Sequence, residues 1–373
     1  MKILFYFPTE DSVRRVPLSY TALENGCGFS GTETALLELS KYLVDRGHSV
    51  QIYGVGVSCI DNNIIFISEK DLDSVDIDVD WFSPLFFFNG AQHKLLDKLN
   101  SSRTKVFLWF HTFIYDNSIY NIQKKYTVHA QYVSKYVADS YPNIINTKHS
   151  WTVYNGINKF FTIESIPDSH DKKGKWIFHT SSERGGNVAK DIFQKVATIQ
   201  PTVATTLNML SYYTPDNHRI ESSNIVNLGS KTKIEVRDLL LQSDYFVYPL
   251  VLPDGRVCHD TFGTCMLEAL ACGVIVVVWD VACISSVYSD YVVKIPVPEY
   301  VKTKYNYDPN ARFASCTWML SDEAKGLFIN KILELESDQV KKELIRNNGV
   351  EWARQITWET LGRDMEKELL ERL

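Results

Sequence analysis

Apolar strand-like runs alternate with amphipathic helical patterns along this chain, and the alternation starts afresh near residue 175. In the first half, the continuous apolar run 2–8 precedes a helical pattern over 32–46, which Gly47 ends before the next strand-like run. In the second half, strand-like apolar runs lie at 175–179, 206–210, 245–249 and 274–279, and helical patterns lie between them. This alternation is typical of parallel sheets, because two parallel strands need a long crossover between them. The chain is therefore predicted to be α/β, with two Rossmann-like domains in series.

The length of the chain agrees with this division. Its 373 residues exceed the roughly 250–300 residues at which a single hydrophobic core stops growing. The polar, proline-containing stretch 166–174 (IPDSHDKKG) is the expected linker. We therefore expect an N-terminal domain at 1–165, a C-terminal domain at 166–340 and a helical segment at 341–373.

Charge and cysteine content exclude several classes of function. The 39 basic and 45 acidic side chains give a net charge of −6, so no overall basic field is present to attract nucleic acid. Seven cysteines without a CxxC pair indicate a reducing compartment, and we expect a cytoplasmic protein. No apolar stretch reaches the roughly 18 residues of a membrane-spanning helix, but the aromatic run Phe86 to Phe88 leaves peripheral membrane contact open.

The segment with the clearest chemical signal is 260–280, which reads DTFGTCMLEALACGVIVVVWD. It combines a glycine-bearing loop, a short helix, a glycine stop and a buried strand, and Asp260 and Glu268 are separated by seven residues. The start of such a helix offers free N–H groups and a positive dipole end, which favour an anionic diphosphate. The residues alone leave a second interpretation open, in which Asp260 only caps the helix and Glu268 lies on a solvated face.

This segment resembles the Glu-(seven residues)-Glu signature of the retaining nucleotide-sugar glycosyltransferases of family 4. Other segments resemble the same family in the same order: 30–50 (SGTETALLELSKYLVDRGHSV), 153–157 (VYNGI), 180–185 (TSSERG) and 355–359 (QITWE). The resemblance spans nearly the whole chain. It implies the GT-B fold, in which two Rossmann-like domains face each other across a cleft and the C-terminal helix crosses back to the first domain.

The resemblance also implies roles for the residues of the signature. Glu268 would bind the ribose hydroxyls of a nucleotide donor. Asp260 occupies the first acidic position, where the family usually has a glutamate that contacts the transferred sugar; because aspartate is one methylene shorter, the identity of the sugar does not carry over. Phe262, Gly263 and Thr264 would present backbone N–H groups to the sugar or the diphosphate.

Further residues are assigned through the same resemblance. Arg184 would neutralise the leaving diphosphate. Many family members carry a second cation, which either Lys190 or Arg256 could supply, or the site has one strong cation. His111 would face the donor sugar. Gly31 belongs to the first loop, which approaches the diphosphate, and we expect the long segment 9–31 to recognise the acceptor.

The activity implied is transfer of a sugar, with retention of configuration, from a UDP- or GDP-sugar to a glycan or lipid-linked acceptor, without a cofactor or a metal. Two alternatives remain: a nucleotide-sugar epimerase or phosphorylase on the same fold, and a catalytically silent module that binds nucleotide sugars. A dinucleotide oxidoreductase is less favoured, because no G-x-G-x-x-G follows the first strand of either half.

Overall fold

The computed structural model describes residues 1–7, 17–71, 85–88, 105–111, 124, 127–140, 150–167, 169–210, 224–306, 308 and 316–372. The chain divides into two compact units, of which one combines Met1–Gly156 with Ile356–Leu373 and the other is Ile157–Gln355. Residues 9–16 of the expected acceptor segment and the side chains of Phe86 to Phe88 lie outside the described residues.

The first unit contains an eight-stranded sheet. In chain order its strands are β1 Lys2–Tyr6, β2 Ser49–Val55, β3 Cys59–Asp61, β4 Ile64–Ser68, β5 Leu85–Phe88, β6 Lys105–Phe110, β7 Thr127–Tyr132 and β8 Ser150–Thr152. Their order in the sheet is β3-β4-β2-β1-β5-β6-β7-β8, and only the edge strand β3 is antiparallel to its neighbour. The helices described in this unit are α1 Tyr20–Glu24, α2 Gly31–Asp45, α3 Lys135–Asp139 and, from the end of the chain, α12 Trp358–Arg372.

Helix α2 begins and ends where its sequence predicts. Ser30 and Glu33 form a capping box, in which each side chain accepts a hydrogen bond from the backbone N–H of the other residue. Gly47, with φ at +84°, then takes the left-handed conformation that ends the helix before β2. The predicted helical pattern at 32–46 is confirmed with a shift of one residue at each end.

The C-terminal helix α12 packs on α2. Gly362 faces the ring of Tyr42, and a Cβ at this glycine would lie 2.6 Å from the ring carbon Cγ. Four residues later, the Glu366 carboxylate accepts hydrogen bonds from Tyr42 Oη at 3.2 Å and Arg46 Nε at 3.2 Å, and lies 2.8 Å from His48 Nε2. The predicted return of the last helix to the first domain is therefore confirmed.

The second unit contains a six-stranded parallel sheet in the order β11-β10-β9-β12-β13-β14. Its strands are β9 Lys175–Phe178, β10 Thr206–Leu210, β11 Ile225–Gly229, β12 Tyr245–Tyr248, β13 Ile275–Trp279 and β14 Val293–Ile295. Its helices are α4 Ser169–Lys172, α5 Gly186–Ile199, α6 Lys233–Leu241, α7 Thr264–Ala271, α8 Ile284–Val287, α9 Glu299–Tyr305, α10 Asp322–Ser337 and α11 Gln339–Gln355. Every residue of β12 and β13 is buried, as expected for strands covered on both faces.

Buried charges attach α11 to this sheet. Asp244, which directly precedes β12, accepts hydrogen bonds from Lys342 Nζ at 2.9 Å and Arg346 Nη2 at 2.7 Å. Gly349 of the same helix lies against Leu270 of α7. These contacts place 341–355 in the second unit, which differs from the predicted boundary at 340; the units also divide after Gly156 rather than after residue 165.

The helices of the described part of the chain include none with the length and apolar character needed to span a membrane.

Candidate functional site

The loop before α7 does not fit the interpretation in which Asp260 caps the helix. The N-cap of α7 is Gly263, and no side chain caps it. Asp260 instead accepts a weak hydrogen bond from the backbone N–H of Phe262 at 3.4 Å. Glu268 is only 3% exposed, so it does not lie on a solvated helix face. The helix thus begins without a capping side chain, with two buried carboxylates beside it.

Gly263 is favoured by its backbone conformation. Its φ of +77° lies in the left-handed region, which a residue with a Cβ rarely adopts. A Cβ there would collide with Cε of Met266. The carbonyl of Gly263 accepts a hydrogen bond from Tyr288 Oη at 2.7 Å, which fixes the start of α7.

Arg184, Tyr248 and Asp260 form a hydrogen-bonded group at the carboxyl ends of adjacent strands. Arg184 follows β9, Tyr248 is the last residue of β12, and Asp260 lies in the loop after β12. Nη1 of Arg184 donates to Asp260 Oδ2 at 3.1 Å and to Tyr248 Oη at 3.3 Å. The Tyr248 hydroxyl donates to the same Oδ2 at 3.0 Å. The structure therefore brings together the predicted residues Arg184 and Asp260.

The electrostatics of this group fix its protonation. Burial, followed by the charge of Asp260, raises the pKa of Tyr248 well above its ordinary value, so its hydroxyl keeps its proton and donates. Tyr248 and Asp260 in turn raise the pKa of Arg184 further above its ordinary range. At neutral pH the group is thus a charged guanidinium held between a carboxylate and a phenol.

Glu268 belongs to a second group of buried side chains. Its Oε1 lies 2.5 Å from Nζ of Lys233, the first residue of α6, and its Oε2 lies 3.9 Å from Nε2 of His179. Burial, followed by the charge of Lys233, lowers the pKa of His179 to about 3, so this imidazole is neutral at neutral pH. Lys233 also lies 5.8 Å from the centre of the Phe161 ring. Lys233 is therefore the cation that balances the charge of Glu268.

Four other predicted site residues lie in the second unit. Phe262 is buried at 2% exposure, and Thr264 is the first residue of α7. Lys190 lies on α5, and Arg256 pairs with its neighbour Asp254 at 2.7 Å on the surface. Within the described ranges, no hydrogen bond connects Lys190 or Arg256 to Arg184, Asp260 or Glu268.

His111 and Gly31 lie in the first unit. His111 directly follows β6, is 4% exposed, and its ring centre lies 4.5 Å from that of Trp109. Burial lowers the pKa of His111 to about 3, so the imidazole is neutral at neutral pH. Gly31 is the first residue of α2 after the N-cap Ser30.

Sequence reasoning missed Tyr248 and Lys233. Tyr248 stands at the carboxyl end of the predicted strand 245–249, which is the edge of an α/β sheet where ligands bind. Lys233 is the first residue of α6, which follows β11 along the chain. The end of a strand and the start of a helix are places where α/β proteins bind ligands. A tyrosine before a proline and a lysine at the start of a helix are nonetheless too common in sequences to identify a site.

No family model matches the sequence, and no curated protein matches it. Solved structures do match the fold. The Anabaena protein Alr3699/HepE, in complex with UDP and glucose, matches with a TM-score of 0.65 and 14% identity over 100% of both chains. Sucrose-phosphate synthase from Thermosynechococcus elongatus matches with a TM-score of 0.64 and 13% identity over 100% of this chain and 98% of its own. WaaG, a glycosyltransferase involved in lipopolysaccharide biosynthesis, matches with a TM-score of 0.63 and 11% identity over 97% of this chain and 98% of its own. With one mainly parallel sheet, one parallel sheet and the returning helix α12, the chain therefore has the GT-B fold that its sequence predicts.

Proposed function

We propose that the protein is a retaining glycosyltransferase that moves a sugar from a nucleoside diphosphate sugar to a hydroxyl group of a glycan or lipid-linked acceptor. The observation that carries this proposal is the arrangement of Arg184, Gly263 and Asp260. A Cβ on Gly263 would lie 3.6 Å from the same Asp260 oxygen that binds Arg184. A cation and an uncapped helix start thus lie around one point, which suits a diphosphate.

The neighbouring structures support a nucleotide-sugar donor. HepE has been solved with UDP and with UDP-glucose. At 14% identity this likeness concerns the fold, so UDP-sugars are the first donors to test and GDP-sugars the second. In this proposal Glu268 binds the ribose hydroxyls, and the seven free cysteines accord with a cytoplasmic location.

The proposed mechanism is electrostatic. As the bond between the sugar and the diphosphate breaks, negative charge grows on the β-phosphate and positive charge on the anomeric carbon. Arg184 and the N-terminus of α7 would stabilise the phosphate charge where it develops.

The remaining roles rest on the family resemblance and stay predictions. It assigns His111 to the donor sugar, Gly31 to the diphosphate and Lys190 to the donor site. The departing phosphate would take the acceptor's proton on the same face of the sugar, and no cofactor or metal takes part.

The test is a transfer and hydrolysis assay with a panel of UDP-, GDP-, ADP- and dTDP-sugars. Arg184→Ala is expected to lower turnover about 100-fold or more, because it removes a charge that stabilises the transition state. Arg237→Ala is the matched control, since that arginine pairs with its neighbour Asp238, whose side chain is 52% exposed, and it should keep near-normal turnover. Unchanged turnover of Arg184→Ala with every donor would contradict the proposal. Donor conversion without an acceptor would indicate the epimerase or phosphorylase, and binding without turnover the silent module.

A further inference from the structure

We infer that Asp260 is a positioning residue for Arg184 rather than a contact to the donor sugar, and that Tyr248 is the second anchor of the same guanidinium. This inference rests on the proposed function, because it concerns how Arg184 is presented to a diphosphate. It changes the role that the family resemblance gives to Asp260, and it adds Tyr248 to the site.

The hydrogen bonds of Asp260 carry the first step. Its Oδ2 accepts from Arg184 Nη1 and from the Tyr248 hydroxyl, and the backbone N–H of Phe262 lies 3.4 Å from its Oδ1. The residue is 9% exposed. Turning this carboxylate towards a sugar would leave the buried Tyr248 hydroxyl without its acceptor, and an unsatisfied buried donor is costly. Asp260 is thus held in its present orientation by the groups around it.

Asp260 in this orientation holds one end of the Arg184 guanidinium. Only its Nη1 is engaged, shared between Tyr248 and Asp260. Nε and Nη2 of Arg184 donate no hydrogen bond to any residue that the structure describes, and 41% of the side chain is exposed. Arginine binds phosphate best through two parallel N–H groups, and the pair Nε and Nη2 forms such a fork. One end of the guanidinium is therefore anchored while the other is left for two phosphate oxygens.

The length of the acidic side chain fits this role. Aspartate is one methylene shorter than the glutamate that the family usually has at this position. In this chain the shorter side chain reaches Tyr248, which ends β12, and Arg184, which lies in the turn 182–184 after the adjacent strand β9. Substitution at position 260 should therefore act on the phosphate site.

The decisive comparison is between a ligand with the β-phosphate and one without it. We would measure binding of UDP and UMP by calorimetry to the full-length chain, using GDP and GMP if the wild type binds only guanine nucleotides. Tyr248→Phe and Asp260→Asn are expected to weaken UDP binding about tenfold and to leave UMP binding within twofold, because the first removes a hydrogen bond to a charged group and the second removes the charge that holds the guanidinium. In the Arg184→Ala background, Asp260→Asn should have no further effect.

Tyr245→Phe is the matched control for Tyr248→Phe. Tyr245 is on the same strand, is equally buried, and donates to the carboxylate of Glu336 at 2.6 Å. Its loss should lower stability without changing UDP affinity. Tyr248→Phe keeps the shape of the buried ring, so it tests the inference even if Asp260→Asn does not fold.

Two results would overturn the inference while the proposed function stands. If both variants bind UDP as the wild type does, while Asp260→Asn loses turnover with one sugar nucleotide only, Asp260 contacts the sugar. If Tyr245→Phe weakens UDP binding as much as Tyr248→Phe, the effect is one of general stability. A wild type that binds neither UDP nor GDP would instead contradict the proposed function, and the inference with it.

Discussion

Nζ of Lys233 lies 2.5 Å from Oε1 of Glu268, and this ion pair joins the first turn of α6 to the middle of α7. The side chain of Glu268 is 4% exposed and that of Lys233 is 12% exposed. Because a buried carboxylate needs a partner, the lysine holds the Glu268 side chain in its orientation before a nucleotide arrives. The residue proposed to bind ribose is thus prepared by a neighbour outside the signature.

Lys233→Met should therefore destabilise the protein and weaken nucleotide binding. Removing one partner of a buried ion pair leaves an uncompensated charge, which costs about 3 kcal/mol. Urea unfolding should show this loss in the free energy of unfolding, and calorimetry should show at least a tenfold loss in UDP affinity. Lys233→Arg keeps the charge and should recover most of both.

Lys231→Met is the control for this substitution. Lys231 pairs with Glu235 four residues away, and the Glu235 side chain is 49% exposed. Exposed pairs of this kind contribute less than about 1 kcal/mol. If Lys233→Met behaved like Lys231→Met in both measurements, Lys233 would have no role in holding Glu268.

The sequence predicts much of this architecture because its strongest signals are local. The apolar run 274–279 becomes the buried strand β13, and the capping pair Ser30 and Glu33 marks the start of α2. The burial of Glu268 was not predictable in the same way, because it depends on α6 and β9 packing around α7. The same holds for Tyr248, whose role arises only when Arg184 and Asp260 approach it in space. The division into two compact units differs from the predicted boundary near 340 for a similar reason, since long-range ion pairs attach α11 to the second sheet.

Gly263→Ala should disturb the start of α7. Alanine in the left-handed region is strained, and its Cβ would collide with Met266. We expect a loss of about 1–3 kcal/mol in the free energy of unfolding. UDP affinity should fall as well, because the N–H groups at the start of the helix would be displaced.

Gly326→Ala is the matched control for Gly263→Ala. Gly326 lies inside α10, and a Cβ there would meet nothing within 4 Å. Alanine is favoured over glycine in a helix interior by about 0.5–1 kcal/mol, so this variant should be more stable than the wild type. A Gly263→Ala variant that gained stability in the same way, with normal UDP binding, would contradict the proposed diphosphate position.

Glu366→Gln should loosen α12 in a pH-dependent manner. Burial opposes the charged form of Glu366, but hydrogen bonds from His48, Arg46 and Tyr42 outweigh it, so its pKa lies below the ordinary 4.5. A carboxylate with a lowered pKa in the folded state stabilises the fold above its unfolded pKa, and this stabilisation is lost as the pH falls through the folded pKa. We expect a loss of about 1 kcal/mol at pH 7, which shrinks below about pH 4.

Unfolding curves for wild type and Glu366→Gln between pH 7 and pH 3 would measure this difference. Glu368→Gln on the same helix is the control, because Glu368 pairs with Arg372 four residues away and with no other residue that the structure describes. It should change stability by less than about 0.5 kcal/mol at every pH. A difference between wild type and Glu366→Gln that stayed constant down to pH 3 would show that the charge of Glu366 does not hold the helix.

Asp244→Ala should separate stability from nucleotide binding. Asp244 is 1% exposed and compensates two buried cations, Lys342 and Arg346, which carry α11. Its removal leaves those charges partly unpaired, which costs about 3–5 kcal/mol. Because Asp244 directly precedes β12, whereas Tyr248 ends that strand, it stands at the opposite end of the strand from the proposed phosphate site. UDP affinity of the folded protein should therefore stay within about twofold, in contrast to the loss expected for Lys233→Met.

Asp238→Ala is the control. Asp238 forms an exposed pair with Arg237, so its removal should change neither the free energy of unfolding nor the UDP affinity. A large loss of UDP affinity in Asp244→Ala would mean that the buried charges at the start of β12 also shape the nucleotide site.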